Sequence, residues 1–306
     1  MNIASIDSGT NTVLLLIAER IGKNSIKPLF ELHNMPRVGE DVVRTGIIKE
    51  EKILELCRIY KEYKLKCDEY NVEKIIACGT NVYRIAINTP EAIERVKEAS
   101  GIEMQIISGD YEAESSFMGA TADFNRDEKI TVIDIGGGSS EVTCKDSGEI
   151  LFKKSFSTGV ISLREQFLKD NSMLKENILQ LEDFCQNYFQ ELEKIRGASD
   201  YSIAIAGTPS TLYSLRHDFT EFNREKVHKK RLSIDDIDVI LSKLIDLPFD
   251  EYSKFGKIIK GREDLIGAGA IVLKSIISKL GLKETFVSTT GLRYGLILKY
   301  LENNYQ

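Results

Sequence analysis

The chain is poor in the residues that build metal centres and disulfide frameworks. It has three histidines among 306 residues, too few for a histidine-rich metal site. Its five cysteines, at 57, 67, 78, 144 and 185, are odd in number and irregular in spacing. They read as reduced thiols of a cytoplasmic protein. No apolar run approaches the ~20 residues of a membrane helix, and the stretch Val13 to Ala18 is far too short. Met1-Asn2-Ile3-Ala4 has neither the basic start nor the long apolar core of a signal peptide. Positive charge is also in short supply. The 41 Lys+Arg stand against 47 Asp+Glu, a net charge of −6, which argues against non-specific nucleic-acid binding. A small anion held in a local pocket remains open. The 42% hydrophobic and 29% charged content is that of a globular protein with ample core, and the length fits two domains.

The pattern along the chain alternates strands and helices, which indicates an α/β protein. Two apolar runs, Ile3 to Asp7 and Thr12 to Ala18, flank a short Gly/Asn turn and read as a hairpin. A less regular stretch follows. A helix is predicted near 50–69, where Ile53, Cys57, Tyr60, Tyr63 and Cys67 recur at spacings of three and four, so both thiols should face the core. Strands are predicted at 74–78 and 104–107. Helices are predicted at 90–100, closed by Gly101, and from about Tyr111. The polar turn Asn125-Arg126-Asp127-Glu128 suits a domain boundary, giving domains 1–124 and 125–306, with the terminal helix able to pack back on the first. In the second half, strands are predicted at 130–134, 141–144, 202–206 and 285–288. Helices are predicted at 161–168, 175–196 and 265–280, and one capped by Ser233. The basic stretch Lys226-Val227-His228-Lys229-Lys230-Arg231 reads as a solvated loop that could also guide a polyanion.

One local plan occurs twice. Asp7-Ser8-Gly9-Thr10-Asn11-Thr12 and Asp134-Ile135-Gly136-Gly137-Gly138-Ser139 each place an Asp at a strand end, then a glycine turn, a hydroxyl residue and a return strand. Equivalent units in two halves imply a duplicated domain with a cleft between the halves. A phosphate held against such a turn needs inward N–H groups and no Cβ in its way, and glycine is expected to supply both unusual φ angles and close approach. Thr10, Asn11, Thr12 and Ser139 add side-chain donors. Asp7 and Asp134 could hold Mg²⁺, directly or through water. Gly207-Thr208-Pro209-Ser210-Thr211, after a strand, is a third candidate phosphate turn.

These features, with Gly291-Leu292-Arg293-Tyr294-Gly295 at the end, resemble the exopolyphosphatase/guanosine-pentaphosphate phosphatase family. Further matches are Arg37-Val38-Gly39-Glu40 with Arg44-Thr45-Gly46, Gly79-Thr80-Asn81-Val82-Tyr83-Arg84, Ile107-Ser108-Gly109 leading to Glu112-Ala113, and Ser157-Thr158-Gly159-Val160. The resemblance covers essentially the whole chain and is closest to the short, two-domain form. It implies two ribonuclease-H-like domains of the actin, sugar-kinase and Hsp70 superfamily with an interdomain cleft. It also implies Mg²⁺-assisted hydrolysis of the terminal phosphoanhydride of polyphosphate, of guanosine pentaphosphate (to the tetraphosphate), or of both. Carried over by residue, Glu112 matches the catalytic glutamate that activates water, and Arg84 a motif arginine near the phosphate path. Asp134 and Glu141 match the acidic positions of the metal site. Residues 8 to 12 and 136 to 139 match the two phosphate loops, and Gly207-Thr208 a third turn.

The chain departs from the family pattern at several positions. Tyr111 stands where a second acidic residue is usual, Glu114 where a basic one is, Tyr294 where Glu is, and Ala206 where the first of two glycines is. Glu114 is therefore a rival for the role of Glu112. Helical spacing puts the two on different faces, so at most one points into the cleft. A non-catalytic regulator that binds guanosine tetraphosphate, and an ATP-dependent kinase of the same superfamily, are the alternative readings. A homodimer is among the assemblies left open.

Overall fold

The apolar runs on either side of residues 9–12 form a hairpin, strands β1 (Asn2–Ser8) and β2 (Val13–Arg20), with Ser8 opposite Val13. This computed structural model describes residues 1–124, 128–169 and 173–304. Of the proposed boundary turn, residues 125–127 lie outside them and Glu128 is described. The chain divides into two compact units, Met1–Gly119 with Gly291–Gln306, and Ala120–Thr290. The terminal helix, Leu292–Asn304, is part of the first unit.

In the first unit, β3 (Ile26–Asn34) continues the antiparallel meander from β2, while β4 (Val72–Gly79) and β5 (Met104–Ile106) add parallel to β1. The order is β3-β2-β1-β4-β5. β3 falls in the stretch read as irregular. It is an edge strand holding Pro28, which an edge tolerates and which masks the strand pattern. The helix Glu50–Glu69 buries Ile53, Leu56, Ile59, Tyr60, Tyr63 and Cys67. Cys67 is buried and Cys57 half-buried against the same core, so both thiols face inward, Cys57 at the margin of a stripe centred on Leu56 and Tyr60. Each buried aliphatic or aromatic side chain contributes about 1.5–3 kcal/mol. Tyr63 also donates its hydroxyl to the Val13 carbonyl at 2.7 Å. The helix Thr89–Ser100 ends at Gly101, whose φ of 72° lets its N–H reach the Lys97 carbonyl.

The second unit repeats the plan. β6 (Ile130–Ile135), β7 (Ser140–Asp146) and β8 (Glu149–Phe156) form the meander. β9 (Tyr201–Ile205) lies parallel to β6. β10 (Lys230–Ser233) and β11 (Glu284–Val287) complete the sheet, whose order is β10-β11-β9-β6-β7-β8. Both sheets therefore carry the ribonuclease-H-like order, and the fold class is that of two such actin-like domains. The basic stretch 226–231 is not a loop. It spans the end of a short helix, Arg224–Val227, and the start of β10, where Arg231 pairs with Glu284 at 3.0 Å. Charged residues on an outer strand resist pairing with other chains. The predicted Ser233 cap is present as a capping box: Asp236 N–H donates to Ser233 Oγ and Ser233 N–H to Asp236 Oδ2. The helix Ile266–Lys279 is buried along most of its length and centres the core. All five cysteines are free thiols. Among the described residues no helix is long and apolar enough to cross a membrane.

Candidate active site

In the first unit, the turn after β1 is closed by one bond, Gly9 N–H to the Thr12 carbonyl at 2.8 Å. The N–H groups of Thr10, Asn11 and Thr12 have no protein acceptor among the described residues. The loop is held from behind. Arg37 N–H donates to the Asn11 carbonyl at 3.1 Å and Gly39 N–H to the Thr10 carbonyl at 2.8 Å. Gly39 is glycine for space, since a Cβ there would stand 2.0 Å from Thr10 Cγ2. Ser8 turns the other way and bonds the Tyr83 hydroxyl at 2.7 Å, both groups being buried. The Ser8 hydroxyl, which the resemblance places in the phosphate loop, is thus held by Tyr83. Burial raises the Tyr83 phenol and keeps it protonated.

The second unit has the same turn. Gly136 N–H donates to the Ser139 carbonyl at 2.9 Å, and the N–H groups of Gly137, Gly138 and Ser139 have no protein acceptor among the described residues. Here the carbonyls of Gly136 and Gly137 accept from Val160 and Ile161, at the start of the helix Val160–Phe167. This contact needs Gly159, where a Cβ would stand 2.5 Å from the Gly136 carbonyl oxygen. None of Gly9, Gly136, Gly137 and Gly138 adopts a left-handed φ. The expectation of unusual φ angles at these glycines is therefore corrected.

Asp134 stands directly opposite Glu141 across β6 and β7, and Glu141 opposite Ser155 across β7 and β8. Directly opposed residues share one face of a sheet. Glu141 is buried and accepts from Ser155 Oγ at 2.6 Å. The corresponding pair in the first unit is Asp7 and Leu14, so that unit has one carboxylate where the second has two.

The rival glutamates separate as helical spacing requires. The helix Gly109–Ala120 starts after Ser108, whose Oγ accepts from Tyr111 N–H at 3.2 Å. Glu112, on the first turn and buried, faces Arg84, whose Nη1 lies 2.8 Å from Glu112 Oε2 and 2.9 Å from the Ile107 carbonyl. Arg84 Nε and Nη2 have no protein acceptor among the described residues. Glu114 instead meets Lys299 at 3.2 Å. Cys78, buried at the end of β4, is pushed up by burial and then by the charges of Asp7 and Glu112, so it stays a thiol. The substitutions at Tyr111, Glu114 and Tyr294 all dock the terminal helix. Lys299 Nζ sits 3.9 Å from the Tyr111 ring centroid, and the Tyr294 hydroxyl bonds Glu31 of β3, which Arg293 also contacts at 2.9 Å.

The third turn leads from β9 into the helix Gly207–Arg216. Ala206 has φ 73° and ψ −162°. The Arg262 guanidinium occupies the space a Gly207 side chain would fill, with Nη1 1.4 Å from that Cβ position. Desolvation pushes Arg262 down to about 10. Thr208 packs under Gly269, where a Cβ would stand 2.7 Å from its Oγ1. A guanidinium beside a helix N-terminus suits a phosphate. Sequence reasoning missed Arg262, which lies in an irregular segment with no motif to mark it. It also left Gly159 without a role, although the Ser157 to Val160 match contained it.

Comparison with known proteins agrees with this architecture. Residues 16–304 match the Ppx/GppA phosphatase family. Over 98% of its length the chain is 33% identical to the bifunctional 3-dehydroquinate synthase/phosphatase of Fusobacterium nucleatum, and it spans 46% of that protein. It is 24% identical to exopolyphosphatase 2 of Mycobacterium tuberculosis, with 97% of each chain covered. The crystal structure of an exopolyphosphatase from Cytophaga hutchinsonii matches at a TM-score of 0.90 and 26% identity, covering 99% of this chain and 98% of that one. With a family match over most of its residues and a relative at 33% identity, the chain belongs to the Ppx/GppA phosphatase family.

Proposed function

We propose that the chain hydrolyses the terminal phosphoanhydride of inorganic polyphosphate, of guanosine pentaphosphate, or of both. The observation that carries this reading is the pair of identically closed turns, each leaving three consecutive N–H groups without a protein acceptor. A run of backbone amides left without acceptors in a turn suits phosphate oxygens. Phosphoryl transfer needs positioning and charge stabilisation above all. Residues 10–12 of the first unit and residues 137–139 of the second each offer phosphate oxygens three N–H donors, and in the first unit Arg84 adds its Nε and Nη2 donors while Nη1 holds Glu112. Glu112 orients a water and takes its proton as the water oxygen bonds the terminal phosphorus. The bond to the bridging oxygen breaks, and the shortened chain leaves as the anion. Gly207 and Thr208 add donors at a helix N-terminus.

Mg²⁺ is the expected cofactor, and the paired carboxylates fit it. Among the described residues no three His, Cys, Asp or Glu side chains converge, and Mg²⁺ needs only one or two carboxylates with waters and phosphate oxygens. Asp134 and Glu141 would hold it, and it would there neutralise charge developing on phosphate oxygens. Asp7, facing Leu14, would contribute at most a single carboxylate.

The test is to incubate the protein with Mg²⁺ and polyphosphate, guanosine pentaphosphate, or ATP with a sugar, and to follow orthophosphate and products. Orthophosphate release from either of the first two is expected. Binding without turnover would mean a regulator, and transfer to the sugar a kinase.

A further inference from the structure

Two helices of the first unit set the surroundings of Glu112, whose role as the base is the reading on which their own role rests. The helices Gly109–Ala120 and Leu292–Asn304 run antiparallel, in contact at steps of four residues. Gly119 lies on Gly291, so that a Cβ at 119 would stand 2.1 Å from the Gly291 carbonyl oxygen. One turn on, Gly295 lies on Ser115, and a Cβ at 295 would stand 1.7 Å from the Ser115 carbonyl oxygen. One turn further, Lys299 reaches Tyr111 and Glu114, with Nζ 3.9 Å from the ring centroid and 3.2 Å from Glu114 Oε2. The first two levels press backbone on backbone and fix the spacing of the helices. The third grips side chains at the start of the helix that carries Glu112.

That start is where a clamp matters. The first turn of a helix has unsatisfied N–H groups and frays most readily. Glu112 lies between Tyr111 and Glu114 in sequence, and helical geometry turns it about 200° away from Glu114. Arg84 holds Glu112 on one side of the helix, and Lys299 holds Tyr111 and Glu114 on the other. The terminal helix is itself anchored to the sheet, by Ser5 Oγ donating to the Arg293 carbonyl at 2.6 Å and by Arg293 and Tyr294 on Glu31. The Lys299 side chain is 19% exposed, so its contacts are partly shielded from solvent.

We propose that Lys299 is a positioning residue for Glu112. By gripping Tyr111 and Glu114 it fixes the rotation and height of the first helical turn, and with them the place from which the Glu112 carboxylate meets the attacking water. In this role Lys299 acts through Tyr111 and Glu114.

Lys299→Met keeps the stem and removes the charge, whereas Lys299→Arg keeps the charge. With polyphosphate, or whichever substrate the wild type turns over, Lys299→Met should lower kcat by about tenfold or more, since a misplacement near 1 Å costs that much. KM should stay within about twofold, because the loss falls on the reacting geometry and not on binding. Lys299→Arg should restore most of kcat. Glu114→Gln, which opens the same pair from its other end, should cost a similar factor, and the double variant should lose less than the product of the two. A kcat for Lys299→Met within about twofold of wild type, while Glu112→Gln is inactive, overturns the positioning role and spares the base. A kcat loss that tracks a lowered thermal midpoint and is not rescued by arginine also overturns it. Full turnover by Glu112→Gln removes the base reading and this inference together.

Discussion

Relieving the backbone at Ala206 should make the second unit more stable. Ala206 is held at φ 73° and ψ −162°, a region that essentially only glycine occupies. Holding an alanine there costs about 1–3 kcal/mol. Ala206→Gly removes that cost but frees the unfolded chain, which takes back about 0.4–1 kcal/mol. The methyl group is exposed, so no packing is lost with it. The strain term is the larger, and the net stabilisation should be about 1–2 kcal/mol. A unit of this size gains about 2–4 °C of midpoint per kcal/mol, so the thermal midpoint should rise by about 2–8 °C. Ala206→Val, adding a β-branched side chain at the same dihedrals, should lower it. Paired scanning calorimetry and urea titration of the full chain would measure both variants. An unchanged or lower midpoint for Ala206→Gly would refute the strain argument, because the one term that favours alanine here, the entropy of the unfolded chain, is the smaller of the two.

Two further outcomes follow from the same geometry. Gly39→Ala should displace the first phosphate loop, since the new Cβ meets Thr10 Cγ2 at 2.0 Å. Overpacking of this kind costs about 1–3 kcal/mol, and KM for whichever substrate the wild type turns over should rise, as denaturation and steady-state kinetics would show. His228 gives a pH effect of defined sign. Its Nδ1 accepts from Thr289 N–H at 3.1 Å, and its Nε2 faces Asp123 at 3.3 Å. Burial and then the charges of Arg224 and Lys229 hold it below the ordinary value of 6.5, against the pull of Asp123. The unfolded chain takes up the proton first as pH falls. Stability is therefore full above 6.5 and declines as pH drops through that value toward the folded-state value. Urea midpoints between pH 7.5 and 5.5 should fall less steeply for His228→Gln, and identical slopes would contradict the assignment.

The sequence was legible where local pattern and structure coincide. The two hairpins follow from apolar runs broken by Asp-x-Gly turns, and the Ser233 cap from a serine three residues before an acid. Edge strands were harder to read. β3 carries Pro28, β8 begins with exposed Ile150 and Leu151, and β10 is built from the basic stretch. Contacts distant in sequence were not legible at all. Lys299 meets Glu114 across 185 residues, and Arg262 rests on Gly207 from an unpatterned segment. The roles of two glycines outside the turns were not legible either. At Gly39 and Gly159 the need is for space against the loops, which no single-residue propensity records.

The most direct test of the account is the turnover of Glu112→Gln. The measurement is orthophosphate release with Mg²⁺ on the substrate that the wild type hydrolyses, alongside the thermal midpoint to confirm folding. Loss of the base should lower kcat by roughly 10²–10⁴ while the protein stays folded. Near wild-type release by this variant would contradict the assignment of Glu112, and with it the reading of the Arg84–Glu112 pair as the hydrolytic centre.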